Sequence, residues 1–246
     1  MRIDPGVYLV GSGQLGFDMT NRFDCNIYLF DADGTYVLFD AGAGMEVERI
    51  LEVCHADSLD LTKINHLFLT HAHTDHGGGT AHLAERLKLT VYASASTAKI
   101  VTTGDEAAVS LPPAKAAGSY PKDYVYRPCP VRRTLAAGEV VEIGPLRIEM
   151  IATPGHSHDH HCYLVTTPHK RYLVGGDAIF YGGKIVLQNT YDCSVPESIA
   201  SIQHLATVSF EALLAGHFNF SLNRGKRHIE AAIEVIDKMG CPVSII

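Results

Sequence analysis

Six consecutive residues, His71-Ala72-His73-Thr74-Asp75-His76, constrain this chain more than any other feature. They place four side chains of metal-binding type directly after the apolar run Asn65–Thr70 and directly before three glycines at 77–79. A short apolar run reads as a buried strand. A strand points alternate side chains the same way, so His71 and His73 can reach one ion. Asp75 and His76, further round the turn, can reach a second. The glycines let the backbone curl close to the ions before the next helix. Imidazole with carboxylate suits zinc and its borderline neighbours better than calcium or magnesium. A fold that carries this segment must bring further ligands to the end of one strand.

Three such ligands stand just past other predicted strands. They are His156 in Thr153-Pro154-Gly155-His156-Ser157, Asp177 in Gly175-Gly176-Asp177, and His217 in Gly216-His217-Phe218. Each has a small or rigid neighbour that allows close approach. Of the 14 histidines, several fall in two groups, 71–76 and 156–161. His158, His160 and His161 stand outside the ligand pattern and read as supporting or surface groups. The six cysteines (Cys25, Cys54, Cys129, Cys162, Cys193, Cys241) are spread singly without a CxxC pair. That spacing argues against a disulfide framework or a thiolate zinc site and suggests reduced thiols.

Strands are expected at Val7–Val10, Asn26–Phe30 and Tyr36–Asp40, the last two joined through an Asp33-Gly34 hairpin turn. Helical spacing over 45–55 and 80–88 flanks the strand that feeds the histidines, and Thr90–Ala93 reads as another strand. Further strands are expected at 139–143, 146–151, 161–167, 171–175 and 211–215, with helices over 195–207 and 224–238. Residues 104–131 break this rhythm with five of the 11 prolines (Pro112, Pro113, Pro121, Pro128, Pro130) and three tyrosines. So long an irregular connection suggests a lid. Neither a repeat nor a low-complexity linker divides the chain. The pattern implies an α+β fold in a single domain, 1–246: a four-layer αββα sandwich of two mostly antiparallel or mixed sheets with helices outside.

With those residues in view, the sequence resembles the metallo-β-lactamase fold superfamily. Its HxHxDH motif appears here as His71 to His76, and the TPGHS, GGD and GH segments follow in order, so the resemblance runs from about Val7 to His217. It implies that His71, His73 and His156 hold a first metal and Asp75, His76 and His217 a second, with Asp177 bridging them. The implied cofactors are two Zn2+ ions, with iron or manganese as alternatives. Asp40, in Phe39-Asp40-Ala41-Gly42, resembles the acidic residue that steadies a ligand histidine in this superfamily.

The function implied is a dinuclear hydrolase that cleaves an ester, thioester or lactone by attack of a metal-bound hydroxide. Asp75 is placed to pass a proton to the leaving group. Asp177 stands where the best-known zinc β-lactamases carry cysteine, which directs the resemblance toward the glyoxalase II and lactonase branches. Gly176-Asp177-Ala178-Ile179-Phe180 is similar to the corresponding glyoxalase II segment, but the chain ends soon after His217, without the helical domain that binds glutathione there. Lactonases carry a tyrosine three residues after the bridging Asp. Here that position is Phe180, and Tyr181 follows as the candidate substrate contact. Loop 11–25 and the 104–131 segment are the places to look for specificity, with Phe17 and Phe23 suited to an apolar substrate. A phosphodiesterase on the same scaffold is an alternative, as is an oxidoreductase like the mononuclear-iron persulfide dioxygenases.

Gly11-Ser12-Gly13-Gln14-Leu15-Gly16 spells the dinucleotide fingerprint, but a polar loop and another strand follow it where a helix is required. The net charge of −7 and scattered Lys and Arg argue against nucleic acid or anionic membrane as partner. No apolar run nears the roughly 20 residues that span a bilayer, and the N-terminus lacks a signal-peptide shape. A cytoplasmic enzyme acting on a small molecule is expected. A homodimer is the assembly to look for, although no sequence feature specifies one.

Overall fold

Residues 1–245 are described in the computed structural model, and most of their strands are apolar on both faces. In chain order the elements begin with β1 (Arg2–Asp4), β2 (Val7–Gly11), β3 (Ile27–Asp31), β4 (Tyr36–Phe39) and α1 (Val47–Ala56). Next come β5 (Ile64–Phe68), the single turn α2 (Thr74–Gly77), α3 (Thr80–Arg86), β6 (Thr90–Ser94), α4 (Ala95–Thr103), α5 (Leu111–Ala116) and β7 (Arg133–Leu135). The second half holds β8 (Val140–Ile143), β9 (Leu146–Ala152), β10 (His161–Thr166), β11 (Arg171–Gly176), α6 (Val195–Leu205), β12 (Ala212–Ala215) and α7 (Lys226–Ile236).

The strands form two sheets: seven strands in the order β1-β2-β3-β4-β5-β6-β7, and five in the order β12-β11-β10-β9-β8. Side-chain alternation explains why they stack with helices outside. Along β3, β4 and β5, Leu29, Leu38 and Leu67 pack with Ile50 of α1, Leu83 of α3 and Val101 of α4. Their neighbours Tyr28, Phe30, Val37, Phe39 and Phe68 face the other sheet, where Ile148, Tyr163, Val165 and Val174 meet them. The second sheet repeats the device, with Leu164, Leu173 and Leu213 turned toward Ile202 of α6 and Ile229 of α7. Strands buried on both faces read as near-continuous apolar runs, and the result is the expected αββα sandwich. Phe68 lies at its centre, stacked 4.3 Å from Tyr92 and edge-on to Tyr163.

The strand pairs β4–β5, β5–β6, β6–β7 and β11–β12 run parallel, so each sheet is mixed, in line with the expectation. Crossovers through α1, α3 and α4 return the chain to the same edge, as parallel pairing demands. Helix α4 differs from the expectation, because its Ser- and Thr-rich start favours caps and turns over helix interiors. Ser94 indeed caps it, accepting from the Thr97 backbone N–H. Asp33 and Gly34 both adopt positive φ, as the hairpin turn requires. Gly11 leads through a loop into β3, antiparallel to β2, which excludes the dinucleotide fingerprint. No helix among the described residues is long and apolar enough to cross a membrane.

Candidate metal centre

Five chain segments end at one edge of the sandwich: Asp40 after β4, His71–His76 after β5, the β9–β10 turn, Asp177 after β11 and His217 after β12. Glycines let them approach. A side chain at Gly176, where φ is +47°, would begin 2.6 Å from His160 Nε2. One at Gly216 would begin 2.3 Å from Asp177 Oδ1 and 2.7 Å from His76 Cε1. Only a residue without Cβ fits such gaps.

The seven expected ligands come together. His71, His73 and His156 each offer a ring nitrogen to one buried group whose atoms lie within 4.8 Å of one another, and Asp75, His76 and His217 form a second. His73 Nδ1 is 2.9 Å from His156 Nε2. Asp75 Oδ2 lies 3.0 Å from His217 Nε2. Asp177 reaches both groups, with Oδ2 3.5 Å from His156 Nε2 and from His217 Nε2, and Oδ1 3.3 Å from His76 Nε2. His71 Nε2 and Asp177 Oδ1 are buried without a hydrogen-bond partner. Leaving such an atom unpaired costs about 1–3 kcal/mol each. Imidazole nitrogens and carboxylate oxygens converging on one buried point, two of them unpartnered, suit a cation, so this donor set fits divalent metal.

Other groups hold these side chains in place. Asp40, itself at positive φ, accepts from the Thr70 backbone N–H at 2.8 Å and faces His76 Nδ1 at 2.8 Å. That leaves His76 Nε2 for the shared centre. Cys25 also lies beside His76 and Asp40, but burial pushes its thiol up to about 12, so it stays protonated. His160 Nε2 accepts from the Asp177 backbone N–H at 2.9 Å, which makes its expected supporting role concrete. His158 is exposed against Tyr191, and His161 is half-buried on the Asp159 carbonyl.

Sequence reasoning missed Asp159 and Asp192. Asp159 accepts from the Ala72 backbone N–H at 2.9 Å and from Thr97 Oγ1 at 2.8 Å, fixing the chain between His71 and His73. Asp192 Oδ2 lies 3.0 Å from His73 Nε2. Neither has a local signal, because both act on residues about 90 to 120 positions away.

Charges divide across the centre. Burial alone would raise Asp75, yet His76 and His217 bring its carboxyl down to about 2. Burial opposes the charged form of His217, but Asp177 and Asp75 overcome it and raise the imidazole to about 9. His156 is driven down to about 3 by burial, in spite of Asp177. His71 is held well below the usual range by burial and by the neighbouring His76 and His73. His71 and His156 are therefore neutral, with lone pairs free, whereas His73, despite its burial, is raised by Asp192. The second group balances its carboxylates with protons that a cation can replace.

A cleft of about 240 Å³ opens onto His73, Thr74 and Asp75. Val109, Leu111, Ala114 and Tyr120 of the 104–131 segment form one wall, and Gln188 and Thr190 also line it. A larger depression of about 470 Å³ among Asp4, Phe30, Leu146 and Lys170 contains none of the candidate donors. Convergent donors, not size, identify the site. Phe23 stacks on Tyr120 at 4.8 Å and so backs the cleft wall, whereas Phe17 packs on Phe220. Tyr181 does not join the cleft. Phe180 turns inward against His217, so the next side chain faces out, where Tyr181 lies on His228 and accepts from Arg227.

Comparison with known proteins agrees with this geometry. The metallo-beta-lactamase superfamily model matches residues 20–217. A thioesterase of Emericella nidulans is 26% identical over 69% of this chain and 41% of its own length. A hydroxyacylglutathione hydrolase of a Marinomonas species is 25% identical over 72% of this chain and 54% of its own. The chain spans only 33% to 54% of the first curated relatives it matches. Among solved structures, a Cronobacter sakazakii metallo-β-lactamase superposes with a TM-score of 0.74 at 20% identity, covering 97% of this chain and 96% of that one. A likeness at that identity speaks for the fold.

Proposed function

Because the chain belongs to the metallo-β-lactamase superfamily, we propose that it is a two-ion hydrolase that cleaves an ester, thioester or lactone. The observation that carries this reading is Asp177, whose two oxygens reach toward both donor groups. His71, His73 and His156 would hold one ion, Asp75, His76 and His217 the other, and Asp177 both. Relatives named as a thioesterase and a hydroxyacylglutathione hydrolase support the acyl-transfer class.

Divalent ions bound there would polarise the acyl oxygen and acidify water toward neutral pH, so no serine or cysteine nucleophile is required. The chain's own part is positioning. Asp40, Asp192 and His160 hold the rings and the Asp177 backbone, so each lone pair already points inward. Asp75 borders both the centre and the cleft, so its carboxylate, ionised at rest, would take up a proton and pass it on to the leaving group. The 104–131 wall limits water beside the scissile bond.

The test is elemental analysis of protein purified without added metal, followed by assay on ester, thioester and lactone panels. About two zinc ions per chain, with turnover that a chelator abolishes and zinc restores, are expected. About one iron with little zinc, or no turnover of any panel member by two-metal protein, would overturn the reading.

A further inference from the structure

The 104–131 segment presents three tyrosines to the site, and two are committed to the backbone. Tyr124 donates to the Ala43 carbonyl at 2.8 Å and Tyr126 to the Ala72 carbonyl at 3.0 Å. Tyr120 is different. Its ring is held between Phe23 at 4.8 Å and Tyr124 at 5.6 Å, and it lines the cleft with His73 and Asp75. Its hydroxyl has no hydrogen-bond partner among the described residues. Burial, with Asp75 nearby, keeps the phenol protonated, so it acts as a donor. Held by its neighbours and unpaired among the described residues, this hydroxyl is open to an acceptor on a molecule in the cleft.

The walls define the rest of that ligand. Val109, Leu111 and Ala114 are apolar, while Ser110, Ser119, Gln188 and Thr190 are uncharged. Neither lysine nor arginine lines the cleft, and Lys115 on α5 is held 2.8 Å from Glu106. Away from His73 and the metal centre, the described walls offer an anionic group no countercharge, so its desolvation there would go uncompensated. We propose that this cleft is the subsite for an uncharged acyl chain, with Tyr120 donating a hydrogen bond to its carbonyl oxygen. The proposal rests on the acyl-hydrolase reading and narrows its substrate class.

Two p-nitrophenyl esters that share a leaving group, the hexanoate and the 6-sulfohexanoate, test the charge. A sulfonate is a weak metal ligand, so its effect reports on the cleft. The hexanoate should show at least about 10-fold higher kcat/KM, and Ser119→Lys should narrow or reverse that ratio. Tyr120→Phe keeps the ring packing and should keep the metal content, while kcat on the hexanoate falls about 10- to 100-fold. Binding of uncleavable N-methylhexanamide, followed by NMR, gives a readout independent of turnover and should weaken about fivefold in Tyr120→Phe. Equal rates for the two esters, or Tyr120→Phe with unchanged kcat and amide binding, would overturn the proposal. Tyr120-dependent amide binding without turnover of any ester, thioester or lactone would instead overturn the hydrolase reading and leave the acyl subsite standing.

Discussion

Stripped of metal, the protein should be most stable near pH 6.5 and weaken on both sides. His217 drives the alkaline limb. Burial opposes its charge, but Asp177 and Asp75 raise it to about 9, whereas an unfolded histidine titrates near 6.5. Below about pH 6.5 both states carry the proton, and the stabilisation is fully present. Between 6.5 and 9 only the folded state carries it, so stability falls as pH rises. At about 1.4 kcal/mol for each pH unit, that window is worth about 3 kcal/mol. On the acid side His156, driven down to about 3 by burial, resists the proton that the unfolded chain accepts, so stability falls as pH drops below 6.5. Asp75, lowered to about 2 by His76 and His217 against burial, adds a loss in the same direction below about pH 4. Urea unfolding followed by circular dichroism measures both limbs. With a slope of about 2–3 kcal/mol/M, the alkaline limb should lower the midpoint by about 1 M between pH 6.5 and 9. Zinc displaces the His217 proton, so the zinc-loaded protein should lose this limb. A flat midpoint in the metal-free protein, or an unchanged alkaline slope with zinc, would refute the reasoning.

Further outcomes follow from single side chains. Asp177→Ala removes the one carboxylate that reaches both donor groups, so elemental analysis should find about one ion per chain or fewer, with turnover reduced at least about 100-fold. Gly216→Ala forces Asp177 or His76 to move, since the new Cβ would start 2.3 Å from Asp177 Oδ1. Metal content should drop while far-UV circular dichroism stays close to native. Asp192→Asn keeps the shape but weakens the contact to His73 Nε2, so competition with a chromophoric chelator should show metal affinity reduced about 10- to 100-fold. Phe68→Ala opens a cavity where both sheets meet, and chemical denaturation should show a loss of about 3–5 kcal/mol.

The sandwich, and the candidate donors that the structure gathers at one edge, were legible in the sequence because strand periodicity and the loop positions after strands are short-range features. Strands such as 27–31 and 161–166 announce a two-faced apolar layer by being apolar at nearly every position. His71 to His76 sit where six residues of backbone dictate which side chains point together. Their partners follow strands with glycine beside them, a pattern visible residue by residue. Helix α4 was hidden by its Ser- and Thr-rich start, and Tyr181 was misdirected because whether Phe180 or Tyr181 turns inward depends on how that turn packs against His217. Tyr120, Asp159 and Asp192 carried no local mark of their use. Asp192 meets His73 across 119 positions, and Asp159 meets Ala72 across 87. The sequence alone determined the apolar layers and the donors that backbone periodicity brings together. The tertiary structure decided which distant carboxylate steadies each ring and which tyrosine keeps a free hydroxyl, because those contacts exist only once separate loops have packed at one edge of the sheets.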